Sequence, residues 1–375
     1  MVSETYRGHG MIKLIKPYIS FDEVETEFRE IFENGCFTRG KHVAAFAEQI
    51  KAYTGAHHAF LTTSATTALW MCMRLLGIGN GDEVIVSDFS FPATANIVED
   101  VGARPVFADV SMDTFNMLPE ELERKITSKT KAVIFVDALG NPSGIHTIKK
   151  ICRDRGIPLI EDAACAIGSS ENSIRCGNLA DLTCFSFHPR KLLTTGEGGA
   201  ITTNNDDWAK RLAIKLAHGA VTQNGKFDFV DYGYNFRLSE LQAVMGIKQL
   251  KKLDAIVQDR SRIRDAYKLE LEAMGFRSQQ VSKNVMHNVQ SLVFRVPEGL
   301  DRDRLITDLK NQDIESTLGT YCLSGLNYYK QKYSDIRQNS RSLQEQTITL
   351  PCFHNVNTMQ VCKAIRKTFK IKSAK

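Results

Sequence analysis

The chain has 375 residues, 43% of them hydrophobic and 24% charged, with a formal net charge of +5. That length allows one large domain with a smaller one, and the core is large enough to need no disulfide or metal staple. The charge excess contains no Lys/Arg run of five or more, which argues against a nucleic-acid partner but leaves room for a basic pocket taking an anionic small molecule.

In chain order, Phe21–Asn34 predicts a helix, followed by a turn at Gly35. From about residue 57 to 203, short apolar runs alternate with helical patterns. The predicted strands are His58–Thr62, Glu83–Ser87, Pro105–Ala108, Ala132–Val136, Pro158–Ile160, Leu182–Phe187 and Ala200–Thr203. Predicted helices between them are Ala65–Leu76, Ala93–Asp100, Pro119–Ile126 and Ile145–Arg155. This alternation predicts an α/β domain with a mostly parallel seven-stranded sheet covered on both faces.

Leu238–Leu271 predicts one long bridging helix, lightly broken at Gly246. After Gly275 the pattern becomes strand, helix, strand, helix, at Gln290–Val296, Asp301–Lys310, Asp313–Thr317 and Met359–Phe369. A small α+β C-terminal domain is expected there, dividing the chain into residues 1–250 and 251–375. The nine cysteines include no CxxC pair and no zinc spacing, so buried thiols, a reducing compartment and no metal site are expected. The polar start, Met1–Gly10, holds no signal-peptide core, and no run of 18 apolar residues exists. Both facts predict a cytoplasmic protein without membrane association.

The chemistry gathers at three places. Ile160-Glu161-Asp162-Ala163-Ala164 ends an apolar strand in two carboxylates, at the sheet edge where open α/β sheets bind ligands. Taken alone, Asp162 reads better as a helix cap than as a ligand group. About thirty residues on, a strand runs into Ser186-Phe187-His188-Pro189-Arg190-Lys191 and then the glycine-rich Thr195-Gly196-Glu197-Gly198-Gly199. A lysine amine and an acidic group are the pair that pyridoxal phosphate requires, the amine for covalent attachment and the acid for the pyridinium nitrogen. Thr62-Thr63-Ser64-Ala65-Thr66-Thr67 ends a strand and opens a helix, a place suited to phosphate or to a simple cap.

These segments, with Phe89-Ser90-Phe91-Pro92-Ala93-Thr94-Ala95-Asn96, Tyr234-Asn235-Phe236-Arg237 and Glu240-Leu241-Gln242-Ala243, occur in an order that resembles the DegT/StrS sugar aminotransferases. The likeness runs from Met11 to about Phe369. It implies the fold-type-I architecture of pyridoxal-phosphate (PLP) enzymes. It also implies that Lys191 is the Schiff-base lysine and the proton shuttle, that Asp162 meets the pyridine nitrogen, and that Phe91 stacks on the ring. Ala65, Thr66 and Ser186 would hold the phosphate, and Asn235 would reach the phosphate of the partner subunit in a homodimer with shared sites. His188 and Arg237 would lie on the substrate side.

The chain departs from the family pattern at several positions. Ala65 stands where glycine is frequent. Cys165 stands where many members have a glutamine that contacts the cofactor's ring hydroxyl, and a thiol is the weaker partner. Cys36-Phe37-Thr38-Arg39-Gly40-Lys41 matches a substrate-side turn but adds two cations, Arg39 and Lys41, which either bind an anionic substrate or are solvated surface charges. Ser316-Thr317-Leu318-Gly319-Thr320-Tyr321-Cys322 lacks a His-Tyr pattern, with Tyr321 left as a substrate candidate. The expected activity is transfer of an amino group, from glutamate, to a nucleotide-linked 4-keto or 3-keto sugar in lipopolysaccharide or related amino-sugar synthesis. A free keto- or aldehyde-sugar acid, such as an octulosonate, is the alternative acceptor. A sugar dehydratase would carry histidine at position 191, and a regulatory homologue would not need Lys191, Asp162 and Ser186 together.

Overall fold

The computed structural model describes residues 10–372. The segment before residue 10, most of the stretch read for a signal peptide, lies outside them. Seven strands form the main sheet: β1 (His58–Thr62), β2 (Glu83–Ser87), β3 (Arg104–Ala108), β4 (Thr130–Val136), β5 (Leu159–Asp162), β6 (Leu182–Ser186) and β7 (Gly199–Thr203). Their order is β1-β7-β6-β5-β4-β2-β3. Only β7 runs against the rest, pairing antiparallel with β1 and β6. Each strand agrees with its predicted position to within two residues.

The strands are apolar throughout because successive side chains feed two cores. Ile85, Val133, Phe135, Leu159 and Phe185 pack on one face. Val84, Val86, Ile134, Ile160 and Cys184 pack on the other. Among the described residues, no helix is long and apolar enough to cross a membrane.

A second sheet is antiparallel: β8 (Arg277–Ser278), β9 (Leu292–Arg295), β10 (Thr317–Leu318) and β11 (Thr347–Leu350), in the order β8-β9-β11-β10. Its core joins Phe294 and Ile348 to Tyr267 and Leu271 of one helix and to Leu305 and Ile365 of two others. This is the small C-terminal α+β domain. Ile12 reaches it too, donating its N–H to the Asp313 carbonyl at 2.8 Å.

Three expectations change. The bridging helix is two helices, Glu240–Leu250 and Leu253–Glu272, and the break falls at Lys251–Lys252 rather than Gly246. A helix at Lys41–Thr54 follows the turn after Gly35, and strand β11 lies at the centre of the small sheet. The predicted strand Asp313–Thr317 supplies only its last residue to β10, while Ile314 bridges Ile12.

Gly246 is helical because it faces an aromatic ring. A Cβ there would stand 2.3 Å from Phe46 Cζ. Phe46 is fully buried and lies against Phe187 with ring centroids 5.4 Å apart, so it cannot swing away cheaply. Gly246→Ala would gain about 1 kcal/mol of helix propensity but incur an overpacking cost of about 1–3 kcal/mol. A net loss of up to about 2 kcal/mol is expected in urea unfolding; a higher midpoint would contradict this packing.

Candidate active site

The site forms where the C-terminal ends of β5 and β6 meet the start of helix Ala65–Leu75, under the edge of the small sheet. A cavity of about 570 Å³ opens there. Ala65, Thr66, Phe91, Asp162, Cys165, Ser186, His188, Lys191 and Tyr321 all line it.

Ser64 caps the helix. Its hydroxyl accepts the Thr67 N–H at 3.1 Å, and the Thr67 hydroxyl accepts the Ser64 N–H at 3.1 Å. The N–H groups of Ala65 and Thr66 belong to the first turn, where the helix offers no carbonyl to them. Together with the positive end of the helix dipole they suit an anion. Gly199 lets β7 pass beneath this turn, since a Cβ on it would lie 2.5 Å from the Ser64 carbonyl carbon.

Asp162 is buried at the end of β5. Its Oδ2 accepts the Thr94 hydroxyl at 2.7 Å, and its Oδ1 accepts the Ala164 N–H at 3.2 Å. Burial raises its pKa, while the Thr94 hydrogen bond and, more weakly, the Lys191 charge pull it back. A desolvated carboxylate of this kind is stabilised by a cation placed against it. Lys191 lies in the turn after β6, where its N–H donates to the His188 carbonyl at 2.8 Å. Its Nζ donates to Cys165 Sγ at 3.0 Å. The Ser186 hydroxyl accepts the His188 N–H at 3.4 Å.

Phe91 is 65% exposed, unusual for an aromatic ring beside a buried carboxylate. It meets Tyr321 edge-on, with centroids 6.3 Å apart. Tyr321 arrives from the small domain because Tyr321–Cys322 pairs with Phe89–Ser90. The face of Phe91 is thus free for a planar ring. His188 Nδ1 accepts the Arg190 N–H at 3.2 Å, leaving its Nε2 3.9 Å from Glu197. Burial lowers the His188 pKa; Glu197 opposes that shift, and Lys191 and Arg190 add to it.

The remaining candidates sit elsewhere on the chain. Thr38, Arg39, Lys41 and Asn235 are exposed and do not line the cavity. Lys41 is paired with Glu30. Arg237 holds a buried Nη1 without a hydrogen-bond partner, and burial and then Arg39 lower its pKa. Thr38 bridges Ser239, so these residues form a second cluster on the outer surface.

Sequence reading gave Thr94 and Glu240 no role, although both lie in the quoted motifs. Their partners, Asp162 and the backbone at 40–43, are distant in sequence. It also missed a buried group on the reverse side of β5. Asp137, Glu161 and Cys176 bring their ligating atoms within 4.8 Å of one another.

Each part of the cavity answers to one part of pyridoxal phosphate. The amine could take its aldehyde, the desolvated Asp162 its pyridinium nitrogen, the open Phe91 face its ring, and the helix start with Ser186 its phosphate. Fold and site together define a fold-type-I pyridoxal-phosphate transferase. The model of the DegT/DnrJ/EryC1/StrS aminotransferase family matches residues 20–368, and the chain belongs to that family. It is 31% identical over 374 residues to the spore coat polysaccharide biosynthesis protein SpsC of Bacillus subtilis, covering 94% of this chain and 96% of that one. It is 36% identical over 281 residues to a GDP-perosamine synthase of Caulobacter vibrioides, covering 74% and 76%. Among solved structures, the aminotransferase TlmJ from Streptoalloteichus hindustanus superposes with a TM-score of 0.90 at 27% identity, covering 96% of this chain and all of that one. The PLP form of a sugar aminotransferase, Spr1654 of Streptococcus pneumoniae, gives 0.90 at 28%, covering 97% and 99%.

The buried pair behind the site sets a pH dependence. Both Asp137 oxygens and Glu161 Oε1 find no donor outside the group. Burial first, then the facing Glu161 carboxylate, pushes the Asp137 pKa well above the usual carboxylate range. Asp137 therefore keeps a proton that it can donate to Glu161. An unfolded aspartate titrates near about 3.9, so raising the pH favours the unfolded chain by about 1.4 kcal/mol per unit until the folded pKa is passed. Asp137→Asn keeps a donor and removes the titration. Thermal unfolding at about pH 5 and about pH 8 should show a flatter dependence in the variant and a higher midpoint at the upper pH; equal slopes would exclude Asp137 as the titrating group.

Proposed function

We propose that this chain moves an amino group from glutamate to a nucleotide-linked keto-sugar, in cytoplasmic synthesis of cell-surface or related amino sugars. The observation that carries this reading is the Lys191 amine and the buried Asp162 carboxylate opening on one cavity beside the exposed ring of Phe91. The family supports the reaction class, and a GDP-perosamine synthase among the relatives supports a nucleotide-linked acceptor.

When bound, the cofactor supplies an electron sink for charge developing at the reacting carbon. Asp162, aimed by Thr94, would hold the ring nitrogen protonated. The Ala65 and Thr66 N–H groups and the Ser186 hydroxyl would hold the phosphate, and Phe91 would fix the ring plane. Lys191 would anchor the cofactor through its amine, and the same amine would hold and move a proton at the reacting carbon. Cys165 touches that amine from the side. His188 and Tyr321 face the sugar within the cavity. Asn235, Arg237, Thr38, Arg39 and Lys41 belong to the outer cluster and serve the partner's site in a homodimer. The lysine at 191 separates this reading from a dehydratase.

Lys191→Ala is expected to lose at least about a thousandfold in turnover, within the range of lost acid–base catalysis. It should also lose the borohydride-sensitive visible band of the loaded protein. Turnover is measured as 2-oxoglutarate formed from glutamate with nucleotide-linked keto-sugars and with free sugar acids, so the same screen reads the acceptor. Normal turnover in the variant, or no band in the parent protein purified with cofactor, would overturn the reading. Sedimentation should give a dimer; a fully active monomer would remove the shared site.

A further inference from the structure

We infer that Cys165 and Lys191 form an oxidation-sensitive pair: peroxide joins their side chains through a sulfur–nitrogen bond that takes the lysine out of service. The inference rests on the reading of Lys191 as the cofactor lysine.

The pair is singled out by position. Seven of the nine cysteines are buried, and Cys36 lies on the outer surface near the Thr38 carbonyl. Cys165 alone is half-buried in the cavity, where a small oxidant can enter. Its Sγ lies 3.0 Å from Lys191 Nζ, a near-attack separation for these two atoms.

Both backbones are held in place. The Cys165 carbonyl accepts Asn288 Nδ2 at 2.8 Å, and a Cβ on Gly140 would stand 2.8 Å from that same oxygen. On the other side, Leu192 N–H donates to Gln290 Oε1 at 2.8 Å, and the Gln290 amide donates to the Arg190 carbonyl at 2.7 Å. Asn288 and Gln290 are neighbours on one segment, and Gln290 N–H donates to Asn288 Oδ1 at 2.9 Å. One short stretch therefore holds the two backbones from which thiol and amine reach each other.

The chemistry balances in two steps. The Cys165 sulfur attacks hydrogen peroxide, the O–O bond breaks, and a sulfenic acid and one water result. The neutral Lys191 amine then attacks that sulfur. The S–O bond breaks, hydroxide leaves, and it takes a proton from nitrogen to give a second water. The product is a sulfenamide, lighter than the starting pair by two hydrogens. A thiol reductant restores both side chains by attack on sulfur. Cofactor loading and cross-linking compete for the same amine, so a bound cofactor leaves Cys165 without its nucleophile.

The test treats cofactor-free full-length protein with hydrogen peroxide in mildly alkaline buffer and maps peptides by mass. The expected product is one peptide pair joining Cys165 to Lys191, lighter by two hydrogens, abolished by dithiothreitol and absent from Cys165→Ser. The cross-linked fraction should gain no visible band on addition of cofactor until it is reduced. In protein loaded first and fixed with borohydride, Cys165 should stop at sulfenic or sulfinic acid. Oxidation of Cys165 with Lys191 left free in the cofactor-free protein would overturn the proposal. So would an unmodified Cys165 at doses that oxidise Cys36. A cross-link that leaves loading undiminished would uphold the pair's chemistry and instead refute Lys191 as the cofactor lysine.

Discussion

The end of β5 imposes the constraint on which the site depends. A strand sends neighbouring side chains to opposite faces. Glu161 and Asp162 are neighbours, so one carboxylate must enter the core on the face of Leu159 and the other must open on the cavity. Burying two acids in one strand is costly unless each finds partners. Asp162 finds Thr94 and the Ala164 N–H. Glu161 finds the Thr183 hydroxyl at 2.6 Å and the Gly177 N–H at 3.2 Å, with Asp137 as a proton partner. The cavity-facing acid thus comes with a core-facing acid behind it, and the second needs a cluster of its own.

The same economy of position governs the other groups. The anion-suited end of the cavity is a helix start that Ser64 and Thr67 cap reciprocally, leaving the first two N–H groups free. That turn can approach the sheet only because β7 begins with glycine. The small domain forms the opposite wall with Leu292, Leu318, Tyr321 and Leu350 among others, and Tyr321 and Cys322 tie it to the large domain by pairing with Ser90 and Phe89. Phe91 is the next residue after Ser90 and carries its ring into the gap. Asp162 and Ser186 stand on strand ends and Ala65 and Thr66 on a helix start, while Lys191 stands in the turn after β6 and the small domain contributes an edge.

Much of this was legible in the sequence because the signals were local. Each strand of the main sheet is an apolar run bounded by turns, and Lys191, Ser186, Asp162, Ala65 and Thr66 all lie where such a run ends. What was not legible depended on contacts across the fold. Gly246 reads as a helix breaker until Phe46 is found against it. Strand β11 is four residues long and half threonine, so its place at the centre of a sheet comes from its neighbours. Asp137 follows a strand like many surface acids, and only the fold turns it toward Glu161. The sequence reading treated Arg39 and Lys41 together, yet Lys41 is paired with Glu30 while Arg39 lies in the field of Arg237.

The outer cluster is a single mechanical unit despite a gap of some two hundred residues. Glu240 is buried, and its carboxylate accepts the N–H groups of Gly40, His42 and Val43 at 2.9, 2.9 and 3.0 Å. It thereby caps helix Lys41–Thr54, with its negative charge at the positive end of the dipole. Its own N–H donates to the Phe37 carbonyl at 2.9 Å. Gly40 has to be glycine for this approach, since a Cβ would stand 2.8 Å from the Glu240 carboxyl carbon. The turn bearing Thr38 and Arg39 is therefore locked to the segment bearing Asn235 and Arg237. If Asn235 meets a partner's phosphate, the turn must arrive at that same site with it. The motif around Glu240 then belongs to the active site through position, although its carboxylate touches only backbone.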